Sequence, residues 1–333
     1  MRRNYLRVLA GAVMLAFASM VAMVKPGMAA QSAEADYPVK PIRIVIGFTP
    51  GGQPDITARL LAPKLSEALG QQVVVDNRPG AGGVVGARIV AGANADGHTL
   101  LSVSSAHVVA PAVHARLGYD PIKSFAAITQ TTSAAYLLVV PPPLEVKTAK
   151  DLIALAKARP GQINFASGST GSGTHFAAEM FKAAASIDVV HVPYKGIPEA
   201  LTDTVSGRVQ FFMSPLASAM ALVREGKLRA LGVSSAKRVR AYADVPTLAE
   251  SALPGFEWDS WGGLFAPAQT PRAIVGILNR EAGRALTAPD VQSRLQALGA
   301  EPMPGTPAAF EKMVAEQLQL TAALARKAGI KPE

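Results

Sequence analysis

The stretch Ile44-Val45-Ile46-Gly47-Phe48-Thr49-Pro50-Gly51-Gly52-Gln53-Pro54-Asp55-Ile56-Thr57-Ala58-Arg59-Leu60 (IVIGFTPGGQPDITARL) decides the fold class. The apolar, β-branched run reads as a strand, and Pro54 to Leu69, closed by Gly70, reads as a helix. Between them lies a Pro-Gly-Gly loop, at the carboxyl end of a strand and the amino end of a helix. Open α/β sheets place ligands there, and free amides with the helix dipole favour an anion. Pro54 has no N–H, so the donors must come from Gly51, Gly52, Gln53 and Asp55. Asp55 reads as a helix cap or first-turn acid in preference to a ligand contact. Against a ligand it would meet an amine or a protonated group.

The strand–loop–helix pattern recurs. Strands are expected over 42–48, 72–76, 98–104, 136–140, 163–167, 189–193, 209–213, 228–234 and 261–266. Thr148 with Asp151 resembles a capping box, Pro160-Gly161 stops that helix, and Thr270-Pro271 and Thr306-Pro307 open two more. Near-continuous apolar strands alternating with helices predict an α/β fold with parallel sheets covered on both faces. Pro-rich breaks near 141–143 and 245–254 divide the chain. One sheet of nine strands is possible, but two smaller sheets are more natural at this length. If the first and third parts pack together, the middle part becomes an inserted domain; the arrangement is then two doubly wound α/β domains joined by a two-crossing hinge, domain 1 over 31–130 plus 246–333 and domain 2 over 131–245, with the ligand cleft between them.

The N-terminus has the layout of a secretory signal peptide, residues 1–30. Arg2, Arg3 and Arg7 form a positive head, Val8 to Val24 carries no charge, and Gly27, Ala29 and Ala30 supply a small-residue exit. A retained membrane anchor is the alternative, and the small-residue exit favours cleavage. Of 33 Lys and Arg, 29 remain beyond the signal against 24 acids, so the net charge falls from +9 to +5. No Lys/Arg cluster tracks a phosphate backbone, which argues against nucleic acid as a partner. The chain has no cysteine, which excludes thiol catalysis and Cys-based metal sites.

A second loop, Ser167-Gly168-Ser169-Thr170-Gly171-Ser172-Gly173-Thr174, also joins a strand to a helix and offers hydroxyls and amides to a carboxylate. A third, Asn77-Arg78-Pro79-Gly80-Ala81-Gly82-Gly83, tempts a dinucleotide reading. It fails because Val85 stands where the third glycine of G-x-G-x-x-G belongs. The second loop is no Walker loop, since His175 and not Lys stands near Gly173. Its serines lack G-x-S-x-G spacing. His175 with Glu179 is a weak metal pair that reads better as a solvated or capping histidine. The candidate ligand-binding set comprises Phe48, Thr49, Gly51, Gly52, Gln53 and Asp55 of the first loop, with Asn77 of the third and Ser104 at the end of the strand expected over 98–104. The second loop contributes Ser167, Ser169, Thr170, Gly171, Ser172, Gly173, Thr174 and His175. Tyr194 and Trp261, like Phe48, could wall a carbon skeleton or sit in the core. No acid, base, nucleophile, metal or cofactor site is assignable, which describes capture without conversion.

The segments FTPGGQPDITARLLAPKLSEALGQQVVVDNRPGAGGVVGA, FASGSTGSGTHFAAEMFK, VVHVPYKGIPEALTDTVSGRVQFFMSPLASAMALVREGKLRALGVSS and DVPTLAESALPGFEWDSWGGLFAPAQTP resemble the substrate-binding proteins of tripartite tricarboxylate transporters, the TctC or Bug family. The resemblance runs across the chain beyond the signal. It implies a periplasmic, bilobed type II binding protein that closes around a small carboxylate and delivers it to a membrane permease. A monomer is the default for such receptors, with no enzymatic activity and no cofactor. It also implies that backbone amides of the two loops hold the carboxylate, and that Asn77 to Gly80, His191 to Gly196 and Asp203 are family elements, Asp203 being structural. Pro54 departs from the family at a variable loop position. Two alternatives accompany this reading: an exported serine hydrolase using Ser169 or Ser172 with His175, and a ligand sensor for a signalling partner.

Overall fold

The computed structural model describes residues 37–327 and 329–332; the predicted signal segment lies outside them. The chain's contacts divide it at Val39, and residues from Lys40 onward form the unit that carries every element below. In chain order the strands are β1 (Ile42–Ile46), β2 (Val73–Asn77), β3 (Thr99–Ser104), β4 (Phe125–Ala134), β5 (Tyr136–Val140), β6 (Asn164–Ser167), β7 (Val190–Pro193), β8 (Phe211–Pro215), β9 (Arg229–Val233), β10 (Ser260–Pro267) and β11 (Glu301–Pro302). The helices are α1 (Gln53–Leu69), α2 (Val84–Ala91), α3 (Ala106–Val113), α4 (Ala149–Ala158), α5 (Gly173–Ala185), α6 (Ile197–Val205), α7 (Leu216–Arg224), α8 (Leu248–Ser251), α9 (Arg272–Thr287), α10 (Pro289–Ala297) and α11 (Pro307–Lys327).

Two sheets organise these elements. The first runs β11-β4-β10-β3-β1-β2 and the second β7-β6-β8-β5-β9. β5 shows why the second sheet forms: all five of its residues are buried. Tyr136, Leu138 and Val140 pack on Phe165, Phe176 and Phe181, whereas Leu137 and Val139 pack on Phe212 and Leu216. Alternate side chains of a strand point to opposite faces, so a strand apolar throughout needs cover on both. Each such residue contributes about 1.5–3 kcal/mol when fully buried. The expected caps are present. Thr148 accepts from the Asp151 amide at 3.1 Å while Asp151 accepts from that of Thr148 at 2.9 Å, and Gly70 is left-handed at φ 66°.

The sheets are mixed rather than parallel throughout. β10 runs antiparallel to both β3 and β4, and β5 antiparallel to β8 and β9. β10 returns from the second sheet and enters from the opposite end, so it needs no helical crossover to reach its neighbours. The sequence pattern also predicted no strand at Phe125–Ala134. In this segment, FAAITQTTSA, the apolar run stops at Ile128, yet Thr129, Thr131 and Thr132 beyond it are all buried. The Thr129 hydroxyl is within hydrogen-bond distance of the Gly305 carbonyl at 3.1 Å, which lets a polar residue stand in the core.

The chain passes between the sheets at Ala135 and returns across residues 234–259. Asp259 ties these passages together. Its carboxylate accepts from the Ser133 hydroxyl at 2.7 Å and the Ser234 hydroxyl at 2.8 Å, and Ser234 Oγ accepts the Tyr136 amide at 2.9 Å. Burial pushes the Asp259 carboxyl up, opposed by the two serine hydroxyls and reinforced by the Glu257 charge. A raised acid lets the unfolded chain ionise first. Asp259 therefore subtracts stability as pH rises from about 4 through its folded value, and the deficit persists above it. The isosteric variant D259N lacks that term. Its melting temperature, measured relative to the natural chain, should climb between pH 4 and pH 7; a constant difference would refute this.

Candidate functional site

The first loop is braced from within. Gly51 takes φ 90°, open to glycine, and its N–H donates to Asp55 Oδ2 at 2.9 Å. Asp55 also accepts from Arg59 Nε at 3.0 Å and Asn77 Nδ2 at 2.9 Å. Asn77 Nδ2 in turn lies 3.1 Å from the Phe48 carbonyl oxygen. Burial works against the Asp55 charge, but the bonds from Arg59, Gly51 and Asn77 outweigh it and hold the carboxyl below its usual range. Asp55 and Asn77 thus shape the loop. The helix starts at Gln53 without a side-chain cap, leaving the amides of Gly52, Gln53 and Asp55 as donors. Thr49 is exposed at the loop tip, and Phe48 and Ser104 face a small hollow beside Gly83 and His107.

A cavity of about 380 Å³ opens against this helix start. Gly51, Gln53, Ile56 and Thr57 line one side; Ala134, Ala135 and Tyr136 at the passage between the sheets, with Ser260, line another. The junction of β8 and α7, Pro215 to Ser218, contributes from the second sheet, and Leu295 with Leu298 to Ala300 completes the lining. Tyr136 ties the polar wall together. Its hydroxyl hydrogen-bonds Ser260 and Ser105, and burial pushes its phenol up to about 12. Ser260 reaches Gln53 Oε1 at 3.3 Å, and Gln53 Nε2 donates to Thr132 Oγ1 at 2.8 Å. The side chain of Gln53 thereby couples the first loop to both β4 and β10. α7 also starts without a side-chain cap. Its Leu216 amide donates to the Ala135 carbonyl at 3.2 Å, which leaves the amides of the next turn for a ligand.

The second loop spends most of its donors on itself. Ser172 Oγ donates to the Ser169 carbonyl at 2.7 Å and accepts the His175 amide; the Gly168 amide donates to Thr174 Oγ1 at 2.9 Å. The Gly171 amide donates to His175 Nδ1 at 3.1 Å, so that nitrogen is a lone-pair acceptor and Nε2, 3.9 Å from Glu179, carries the proton. The His175 ring stacks on His191 with centroids 3.8 Å apart, and Ser167 lies 2.6 Å from His191 Nε2. Burial lowers both imidazoles, His175 to about 3 and His191 to about 4, with His191 and Lys182 adding repulsion at His175 and Lys182 at His191. The geometry pairs neither Ser169 nor Ser172 with a ring nitrogen of His175, so the hydrolase dyad is not assembled.

Ser169 and Thr170 are exposed, and Gly171 packs on Val113 at the end of α3. Gly173 touches Tyr136: a Cβ there would overlap the tyrosine hydroxyl. Both predicted loops therefore converge on the Tyr136 cluster, but only the first lines the cavity. Of the aromatics left open between ligand wall and core, Tyr194 and Trp261 lie outside this cavity's lining. Trp261 is 2% exposed and packs edge-on against Phe310 at 5.6 Å, because β10 turns Ser260 to the cavity and the next residue to the core. Tyr194 donates to Asp203 at 2.9 Å beside a separate surface hollow.

Sequence reasoning missed Thr57, Tyr136, Pro215–Ser218, Ser260 and the Leu295–Ala300 turn. Pro215–Ser218 was findable, since it follows strand β8 and opens a helix as the first loop does; it lacks the glycines that draw attention.

The comparisons agree with this architecture. Residues 57–330 match the model of the tripartite tricarboxylate transporter family receptor. Protein BugT of Bordetella pertussis is 35% identical over 92% of this chain and 94% of its own. The R. palustris protein Rpa4515, solved with adipate, is 34% identical with TM-score 0.73 over 89% of this chain and all of its own. MatC from Rhodopseudomonas palustris, solved with bound malate, is 32% identical with TM-score 0.69 over 87% of this chain and all of its own. With its two-sheet α/β fold and a match across most of its length, the chain belongs to the tripartite tricarboxylate transporter family of receptors.

Proposed function

We propose that this receptor captures a small carboxylate in the cavity between its two sheets and passes it to the integral membrane permease subunits of a tripartite tricarboxylate-type transporter. The observation that carries the reading is the cavity itself: the uncapped amino ends of α1 and α7, one from each sheet, face the same space. Helix amino ends are anion sites, and no charged side chain lines this one. Neutral donors hold a carboxylate without burying a second full charge. The two relatives solved with adipate and with malate support a carboxylate guest.

The receptor works in the periplasm as a monomer after removal of residues 1–30, and it binds without turnover. Among the described residues no helix is long and apolar enough to cross a membrane. Its lobes, expected at 31–130 with 246–333 and at 131–245, rotate about the two passages. A ligand that touches both lobes only when they are closed shifts the population toward that state. Titration calorimetry against a panel of C4–C8 carboxylates, with small-angle scattering on the same samples, tests this. Saturable binding with a smaller radius of gyration is expected. Carboxylates that neither bind nor compact the protein would refute the reading.

A further inference from the structure

We propose that the meeting of Gly299 with Ala217 is the gate of the cavity, where elements of the two sheets part to admit a ligand and close again behind it. This rests on the receptor reading above and names the residues that govern exchange. The two residues come from different sheets. Ala217 lies in the first turn of α7, which follows β8 of the second sheet; Gly299 lies in the turn from α10 into β11 of the first. A Cβ on Gly299 would stand 3.6 Å from the Ala217 Cβ and 3.7 Å from Leu216 Cδ2. One methyl group would therefore complete van der Waals contact between the two sides.

The position of this meeting and the way it is made point to a gate. Ala135, Tyr136 and Leu295 line the cavity and are buried, whereas Ala217, Ser218 and Leu298 line it and are exposed. A residue that both lines a cavity and faces solvent stands at its opening, so Gly299 and Ala217 meet on the rim. Each side satisfies its own backbone. The Gly299 amide donates to the Gln296 carbonyl at 2.9 Å and the Ala300 amide to the Leu295 carbonyl at 3.0 Å, with Gly299 left-handed at φ 71°. This is the glycine-ended helix stop that holds a turn rigid. The Leu216 amide bonds the Ala135 carbonyl instead of the facing turn. Among the described residues no hydrogen bond or ion pair joins 298–300 to 215–218. Only apolar surface meets there, so the two sides can part without leaving a buried polar group unpaired.

The double variant A217C/G299C tests this. The chain has no cysteine of its own, so the two thiols can pair only with each other. Their expected Cβ separation suits a disulfide, which spans about 3.5–4.5 Å. The reduced form is the control for folding. Without ligand, the oxidised form should have a smaller radius of gyration by small-angle scattering than the reduced form. Radiolabelled adipate added after oxidation should enter about 100-fold more slowly than in the reduced form, and reduction should restore its entry. A217W, at an exposed helical position, keeps the test decisive if the double variant does not fold. Its indole should wedge the rim and speed adipate release about tenfold. Equal radii, or adipate exchange unchanged by the disulfide or by the wedge, overturns the gate and leaves the receptor reading intact. A protein that binds no C4–C8 carboxylate overturns the receptor reading, and the ligand-free radii still decide whether these two sides part.

Discussion

Acidification from pH 7 to pH 4.5 should destabilise this protein by several kcal/mol, read as a steep fall in the urea midpoint. The cause is three imidazoles held neutral. His107, wholly enclosed, is lowered by burial to about 4, with an opposing bond to the Pro121 carbonyl; His175 and His191 are lowered to about 3 and about 4. A depressed histidine contributes stability that is complete above its unfolded value of about 6.5 and is lost as pH falls toward the folded value. Between these limits the enclosed His107 costs up to about 1.4 kcal/mol per pH unit, and the mutually coupled, partly solvent-screened His175 and His191 less each, so the three together remove a sizeable part of a domain's net stability of about 5–15 kcal/mol. Glu179 and Asp259, whose carboxyls burial raises, take up protons early in the folded state and offset part of the loss. H191Q keeps a donor for Ser167, removes one of the three and relieves the repulsion His191 exerts on His175, so its pH slope should be shallower by at least about a third. An unchanged slope would show that the histidine stack is not the source.

The second large effect concerns Gly173. In G173A the new methyl group must displace the Tyr136 hydroxyl, and with it the bonds to Ser105 and Ser260 that shape the polar wall of the cavity. Overpacking of this kind costs about 1–3 kcal/mol, and carboxylate affinity should fall at least tenfold. Removing the obstacle supplies the control. In the double variant G173A/Y136F the methyl group has room, so stability should recover most of its loss. The single variant Y136F, by comparison, should keep its fold and lose affinity modestly. If the double variant is no better than G173A, the damage lies in α5 itself and not in its contact with Tyr136.

Much of the fold was legible because its signals are local. β1, the first loop and α1 are written in order as an apolar run, a glycine pair and a helical pattern, and α4 announces both of its ends. β4 was invisible because its apolar run is only Phe125 to Ile128, and threonines carry the burial beyond it. The strand directions were equally hidden: nothing in the composition of β10 reveals that it enters from the far end of the sheet. The site was half legible. The first loop could be placed on its glycines, and the second was recognised as a partner, but its hydroxyl density misled. Those groups saturate one another, and the stretch of the second sheet that reaches the cavity is the unremarked Pro215–Ser218.

α11 has a consequence for motion. Its first turns pack against the first sheet, where Phe310 meets Trp261, and its last turns bury Leu324 and Ala325 among Phe176 and Phe181 of α5, which covers the second. The two sheets are therefore joined by this helix as well as by the chain passages between them. If the lobes open and close as proposed, that motion must bend or peel this strap, so its grip sets how far they can part. Substitutions near the carboxyl terminus would then retune affinity through the cost of gaping, without approaching the guest.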